Sequence, residues 1–297
     1  MSRRFNIGRR HNVKPAYGRL KKINLHQFFR LPLEEKSRDC GKAGMKLFIR
    51  IKYIGTAFSG YQVQHGRRTV QGELCRACAE LFGHACDVTG CSRTDAGVHA
   101  ECFCAAVSDK GGDRLTTSIP VHRIPEALNA HLPGDISVFY AACVDGSFHP
   151  RYGVKEKTYV YRIINTQFRD PFYEGRAWFI PGTVFDADGI EKMNRAAAKL
   201  IGTHDFSSFM AAGSKITDAV RTVTGARFTA DGDILNFEIS ADGFLYNMVR
   251  IIVGTMAAVG QGKLTPEDIP EITAARDRSR AGITAPPHGL YLHDVKY

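Results

Sequence analysis

Ten consecutive residues concentrate the groups that could do chemistry: Gly90-Cys91-Ser92-Arg93-Thr94-Asp95-Ala96-Gly97-Val98-His99. They lie between two short apolar stretches, so they read as a loop that carries Arg93, Thr94, Asp95 and His99 side by side. A carboxylate near a guanidinium is held ionised even in a partly dry cleft. Ionised and partly desolvated, it can serve as a nucleophile or a base without a metal. On spacing alone an Asx-turn, with Asp95 bonded to neighbouring backbone N–H groups, is also open. His99, polar at a strand edge, reads as structural.

Other chemistries lose ground for lack of their motifs. The chain has no GxxxxGK[ST], no GxGxxG after a strand and no HExxH, nor a GxSxG nucleophile elbow. The eight cysteines, without a long apolar leader, read as reduced intracellular thiols. Cys75 and Cys78 form a CxxC, but inside a helical pattern that lacks zinc-knuckle turn chemistry; they read as buried small hydrophobes, and no metal is expected.

The elements that must position the loop follow from periodicity. Leu47, Ile49, Ile51 and Tyr53 alternate with Phe48, Arg50 and Lys52, a strand with one apolar and one mixed face. A helix is expected over 69–82, stopped by Gly83. Short strands follow at 87–91 and 100–107, a helix at 125–131 and a strand from Ile136. In the second half, 158–164 alternates, 188–200 reads as a helix, and 220–240 reads as a hairpin turning at Asp231-Gly232. A helix over 246–259, a helix start at Thr265 and a strand over 290–295 complete the pattern. Interspersed helices, hairpins and crossovers predict an α+β fold. Its sheet should be mainly antiparallel or mixed and flanked by helices, with two similar halves, 45–150 and 151–297, around a cleft.

Charge is unevenly placed. The net charge is +10, yet residues 1–44 hold 12 of the 40 basic residues and only three acids, which leaves the remainder at +1. Residues 1–44 read as a basic, disordered extension, or as a start placed upstream of Met45. Any polyanion site on the folded part must then come from local clustering. The longest apolar run, residues 251–260, is about half the ~20 residues that span a bilayer, so no membrane segment is expected.

RTDAGVHA (93–100) resembles the active-site motif of the TruA family of tRNA pseudouridine synthases. Further pieces fall in family order: YIGTAFSGYQVQ (53–64), TVQGEL (69–74), NAHLPGDI (129–136), FHPR (148–151), KTYVYR (157–162), DFSSF (205–209), GFLYNMVRIIVG (243–254) and GLYL (289–292). The resemblance spans roughly residues 46–297. It departs at Tyr61, where the family usually has Trp, and at Ile54, where it usually has Asp.

The resemblance implies a pseudouridine synthase-like fold and a cofactor-independent enzyme acting on the tRNA anticodon stem-loop at positions 38 to 40. It implies a homodimer in the cytoplasm. Asp95 matches the catalytic aspartate and Arg250 the arginine that pairs with it. Tyr159 matches a tyrosine that stacks on the target base, Arg93 an arginine that holds the nucleotide flipped out, and Leu290 an apolar residue of the uracil pocket. On pattern alone Tyr159 and Leu290 would be core, and Arg250, inside an apolar helix, needs a partner. Arg67, Arg68 and Arg151 are the candidate phosphate contacts. The alternatives are a paralogous synthase with another RNA and a noncatalytic RNA-binding protein on the same fold, which would not need Asp95, Tyr159 and Arg250 intact.

Overall fold

A computed structural model describes residues 44–213 and 216–297; the basic extension expected over 1–44 falls almost wholly outside them. Ten strands form one sheet: β1 (Met45–Tyr53), β2 (Cys86–Gly90), β3 (His99–Asp109), β4 (Ile136–Asp145), β5 (Glu156–Ile164), β6 (Trp178–Phe179), β7 (Gly202–Asp205), β8 (Val220–Asp231), β9 (Ile234–Ala241) and β10 (Leu290–Lys296). The helices are α1 (Val70–Phe82), α2 (Ile124–His131), α3 (Ala187–Ala198), α4 (Met248–Gly260) and α5 (Asp268–Ala275). The main path runs β4-β1-β3-β10-β5-β9-β8-β7, with β2 on β3 and β6 on β5. All pairs are antiparallel except β10 with β3 and β6 with β5, so the mixed α+β reading holds.

The local signals work as expected where they are strong. The Thr69 hydroxyl caps α1 by accepting from the Gly72 N–H at 3.2 Å, and Gly83 closes that helix in the left-handed region at φ 76°. The β8–β9 hairpin turns at Gly232, φ 57°. Thr265 donates through its N–H and hydroxyl to the Asp268 carboxylate at 2.7 and 3.0 Å, fixing the entry to α5. The sequence signal misses β6 and β7: one is two residues long, and the other, Gly-Thr-His-Asp, has no apolar alternation.

Two expectations are corrected and a third is refined. The mixed face of β1 is more deeply covered than expected: Phe48 is fully buried and Arg50 is 5% exposed, while Lys52 stays exposed. Phe148 and Tyr297 pack edge-on against Phe48 at 5.7 Å, and the Arg50 guanidinium lies 6.0 Å from the Tyr140 ring. The helix expected from Tyr246 begins at Met248, because Asn247 adopts a left-handed conformation, φ 58°. Cys143 is disulfide-bonded, so the chain is not uniformly reduced, whereas Cys75, Cys78, Cys86, Cys91, Cys102 and Cys104 are free.

The edge of β3 decides where a site can form. Near its C-terminal end that edge pairs with β2, Gly90 opposite Ala105. Near its start the same edge pairs with β10, His99 opposite Tyr291. The loop 91–98 leaves the sheet between the two, where neither strand fills the edge.

Tyr61 stacks on Phe103 at 4.3 Å and is 3% exposed, so an aromatic is retained at this departure from the family pattern. Its hydroxyl is buried with no hydrogen-bond partner among the described residues. An unsatisfied buried hydroxyl costs roughly 1–3 kcal/mol. Tyr61→Phe is therefore expected to stabilise the protein by about 1 kcal/mol, read as a higher urea midpoint at an unchanged denaturant slope.

Candidate active site

Backbone and side-chain ties from the segment after β1 hold the Asp95 loop. The Tyr61 N–H donates to the Thr94 carbonyl at 3.1 Å, and the Tyr53 and Thr94 hydroxyls lie 2.8 Å apart. At Gly60, φ 88°, a Cβ would stand 2.8 Å from the Thr94 carbonyl oxygen, so the two loops meet this closely only at glycine. His99 is structural: its Nδ1 accepts from the Gly55 N–H at 2.9 Å, which leaves Nε2 to donate to the His288 carbonyl at 3.0 Å. Burial pushes its pKa down, consistent with a neutral ring.

The Asx-turn alternative is not realised. Among the described residues, the hydrogen-bond partner of the Asp95 carboxylate is Arg250 Nη1, 3.5 Å from Oδ2 and 155 residues away in sequence. Arg250 projects from the first turn of α4, where Nε also donates to the Ala285 carbonyl and Nη1 to Asn247 Oδ1, each at 2.7 Å. Its side chain is 15% exposed and that of Asp95 36%.

Arg250 and Arg93 favour the ionised form of Asp95, as expected of neighbouring guanidinium groups, yet its pKa stands above its ordinary value. Burial is the largest cause, and Arg250 and then Arg93 oppose it. The reason is geometric: at 3.5 Å Arg250 is too distant to offset the loss of water in full.

Asp95 and Arg250 face a cleft of about 1130 Å³. Tyr159, Arg93 and Leu290 line it, as do Arg67 and Arg151. Tyr159 is 6% exposed; its hydroxyl lies 3.5 Å from Ser92 Oγ, and its ring meets Phe244 edge-on at 5.0 Å. Burial pushes its phenol pKa up, so it carries its proton. Leu290 pairs with Tyr161 across β10 and β5. Arg93 reaches Gln62 at 3.4 Å.

Arg68 does not belong with the others. It makes a two-pronged ion pair with Asp135 at 2.8 and 2.9 Å, a third contact with Glu73 at 3.1 Å, and lies 4.1 Å over the Phe58 ring. Its charge is committed within the fold and it does not line the cleft. Sequence reasoning missed Lys157, Phe244 and Asn247 as cleft residues. All three lie in motifs quoted above, but none has a pattern that separates site from scaffold. The described lining carries five cations, Arg67, Arg93, Arg151, Lys157 and Arg250, and one carboxylate, Asp95. This is the local clustering that a nearly neutral folded part requires for a polyanion.

A family model described as tRNA pseudouridine synthase matches residues 49–153 and 196–297. The chain belongs to the tRNA pseudouridine synthase family. Among curated relatives, the tRNA pseudouridine synthase A of Thermoanaerobacter sp. (strain X514) is 43% identical over 84% of this chain and 99% of its own length. That of Halalkalibacterium halodurans is 44% identical over 82% of this chain and 90% of its own length. That of Bacillus pumilus is 44% identical over 85% of this chain and 99% of its own length. For this pseudouridine synthase chain the matched segments include Asp95, Arg93 and Arg151 in the first and Arg250 and Leu290 in the second. Tyr159 lies between the two, on β5.

Proposed function

We propose that this chain isomerises uridine to pseudouridine in the tRNA anticodon stem-loop, at positions 38 to 40, with Asp95 as the catalytic carboxylate. The observation that carries the reading is the approach of Arg250 to Asp95 in a cleft where, among the described lining residues, Asp95 is the lone acid beside five cations.

The chemistry fits this inventory. The N1–C1′ bond breaks, the uracil turns, C5 bonds to C1′, and the C5 proton leaves while N1 ends protonated. The product is an isomer, so atoms and electrons balance without a redox partner or an activated phosphate. The reaction needs a carboxylate, a holder for the loose base and a route for the C5 proton. Asp95 supplies the first. The Tyr159 ring and Leu290 form an apolar slot for the uracil, and the Tyr159 hydroxyl, with its proton on, serves as a hydrogen-bonding group rather than a phenolate. The uridine must leave its stack at a cost of a few kcal/mol, which aromatic contact and an inserted Arg93 offset.

The two halves, 45–150 and 151–297, contribute Asp95 and Arg93 from the first and Tyr159, Arg250 and Leu290 from the second. The enzyme acts in the cytoplasm as a homodimer, two copies sharing one tRNA. No helix among the described residues is long and apolar enough to cross a membrane.

The direct test is pseudouridine mapping of tRNA from cells with and without this chain. Loss of the modification at positions 38 to 40 supports the reading, and an unchanged map refutes it. The phosphate contacts have their own readout. Arg151→Gln is expected to lower the slope of log affinity against log salt by about 1, whereas Arg68→Gln leaves it unchanged.

A further inference from the structure

Asn247 opens α4 in a way that runs against local preference twice. A residue at the start of a helix ordinarily has extended backbone; Asn247 is left-handed at φ 58°, shared among the described non-glycine residues only by Arg276. Asparagine in this position ordinarily turns its side-chain oxygen onto the first free N–H groups of the helix, and here that oxygen caps nothing. Such local costs persist where the surrounding structure over-determines the geometry.

The oxygen is spent on Arg250 instead. A guanidinium is a rigid planar fork. The Nε–H donates to the Ala285 carbonyl and Nη1 donates to Asn247 Oδ1, both at 2.7 Å. Two short contacts at different nitrogens fix the plane. Nη1 has a second proton, and Asp95 Oδ2 lies 3.5 Å from that nitrogen.

We propose that Asn247 is a positioning residue that aims the Arg250 guanidinium at the Asp95 carboxylate. This rests on Asp95 being the catalytic carboxylate. With the acceptor removed, the guanidinium keeps its tether at Ala285 but loses the second point that fixes its plane. Asp95 is then left to burial, with Arg93 as the remaining cation acting on it; Tyr159 and Lys157 line the same cleft, and His288 lies within electrostatic reach of Arg250.

Two variants separate aiming from scaffolding. Asn247→Gly removes the acceptor and accepts left-handed backbone freely. Asn247→Asp keeps an acceptor of the same reach and also tolerates that backbone. In assays on a full-length tRNA transcript, Asn247→Gly is expected to lower kcat by about 10- to 100-fold with KM nearly unchanged. The acid limb of its kcat profile should move to higher pH, and its melting temperature should not fall. Asn247→Asp should recover most of the rate. A helix-start role alone would lower the melting temperature and leave the acid limb in place. The proposal is overturned if Asn247→Gly has the wild-type kcat and acid limb, or if both variants lose rate equally. Inactive Asp95→Asn beside an unaffected Asn247→Gly would sink only the positioning role, whereas an active Asp95→Asn would remove the reading beneath it.

Discussion

Asp95→Asn is expected to end pseudouridine formation, with a rate loss of about 10⁴-fold or more, while tRNA binding stays close to wild type. The amide is nearly the same size and still accepts a hydrogen bond from Arg250, so the loop ties at Thr94 and Gly60 are undisturbed. What it lacks is the negative charge and the electron pair that the isomerisation needs. Under the proposed function binding draws on the cleft cations, and loss of a negative charge beside them is expected to leave the affinity for a polyanion intact. Gel-shift affinity and single-turnover pseudouridine yield, measured on one preparation, separate the two. Retained activity, or affinity lost in step with activity, would defeat the assignment.

Arg250→Met is expected to cost about 10²–10³-fold in kcat and to shift the acid limb of the pH profile upward. The sign follows from the opposing effects on Asp95. Burial raises its pKa, and Arg250 is the largest of the influences that lower it. Without that cation burial acts with less opposition, the carboxylate takes up its proton at higher pH, and activity is lost sooner as the solution is acidified. Methionine fills most of the space of the arginine stem, so α4 keeps its packing. An acid limb that stays in place, or moves down, would show that Arg250 does not act through Asp95.

Much of this site was legible in the sequence, for a reason specific to each residue. Asp95 was visible because the loop that carries it crowds polar groups between two strands and because RTDAGVHA resembles a family active-site motif; the crowding alone did not assign it a role. The Asx-turn remained open on spacing, and what excludes it is a partner 155 residues away, a distance that no local pattern encodes. Tyr159 and Leu290 look like core by periodicity and are largely buried; they belong to the cleft because β10 and β5 lie side by side under it. Arg68 illustrates the converse. It stands next to Arg67 in sequence, yet Asp135 and Glu73 absorb its charge, and the decisive neighbour comes from the loop before β4. The direction of the Asp95 pKa shift was also beyond the sequence, since it depends on whether the guanidinium stands near enough to outweigh burial.

The placement of β10 has a consequence for how the molecule comes into being. Residues 290–296 form a central strand, wedged between β3, ending at Asp109, and β5, ending at Ile164. A ribosome adding about 5–20 residues per second makes β5 roughly ten seconds before β10 emerges. Throughout that interval the strands that will flank β10 present unpaired N–H and C=O groups, a template for pairing with neighbouring nascent chains. The two edges that β10 will join thus stay open during synthesis, and a chaperone that shields them until residue 296 has emerged would protect the chain over that interval.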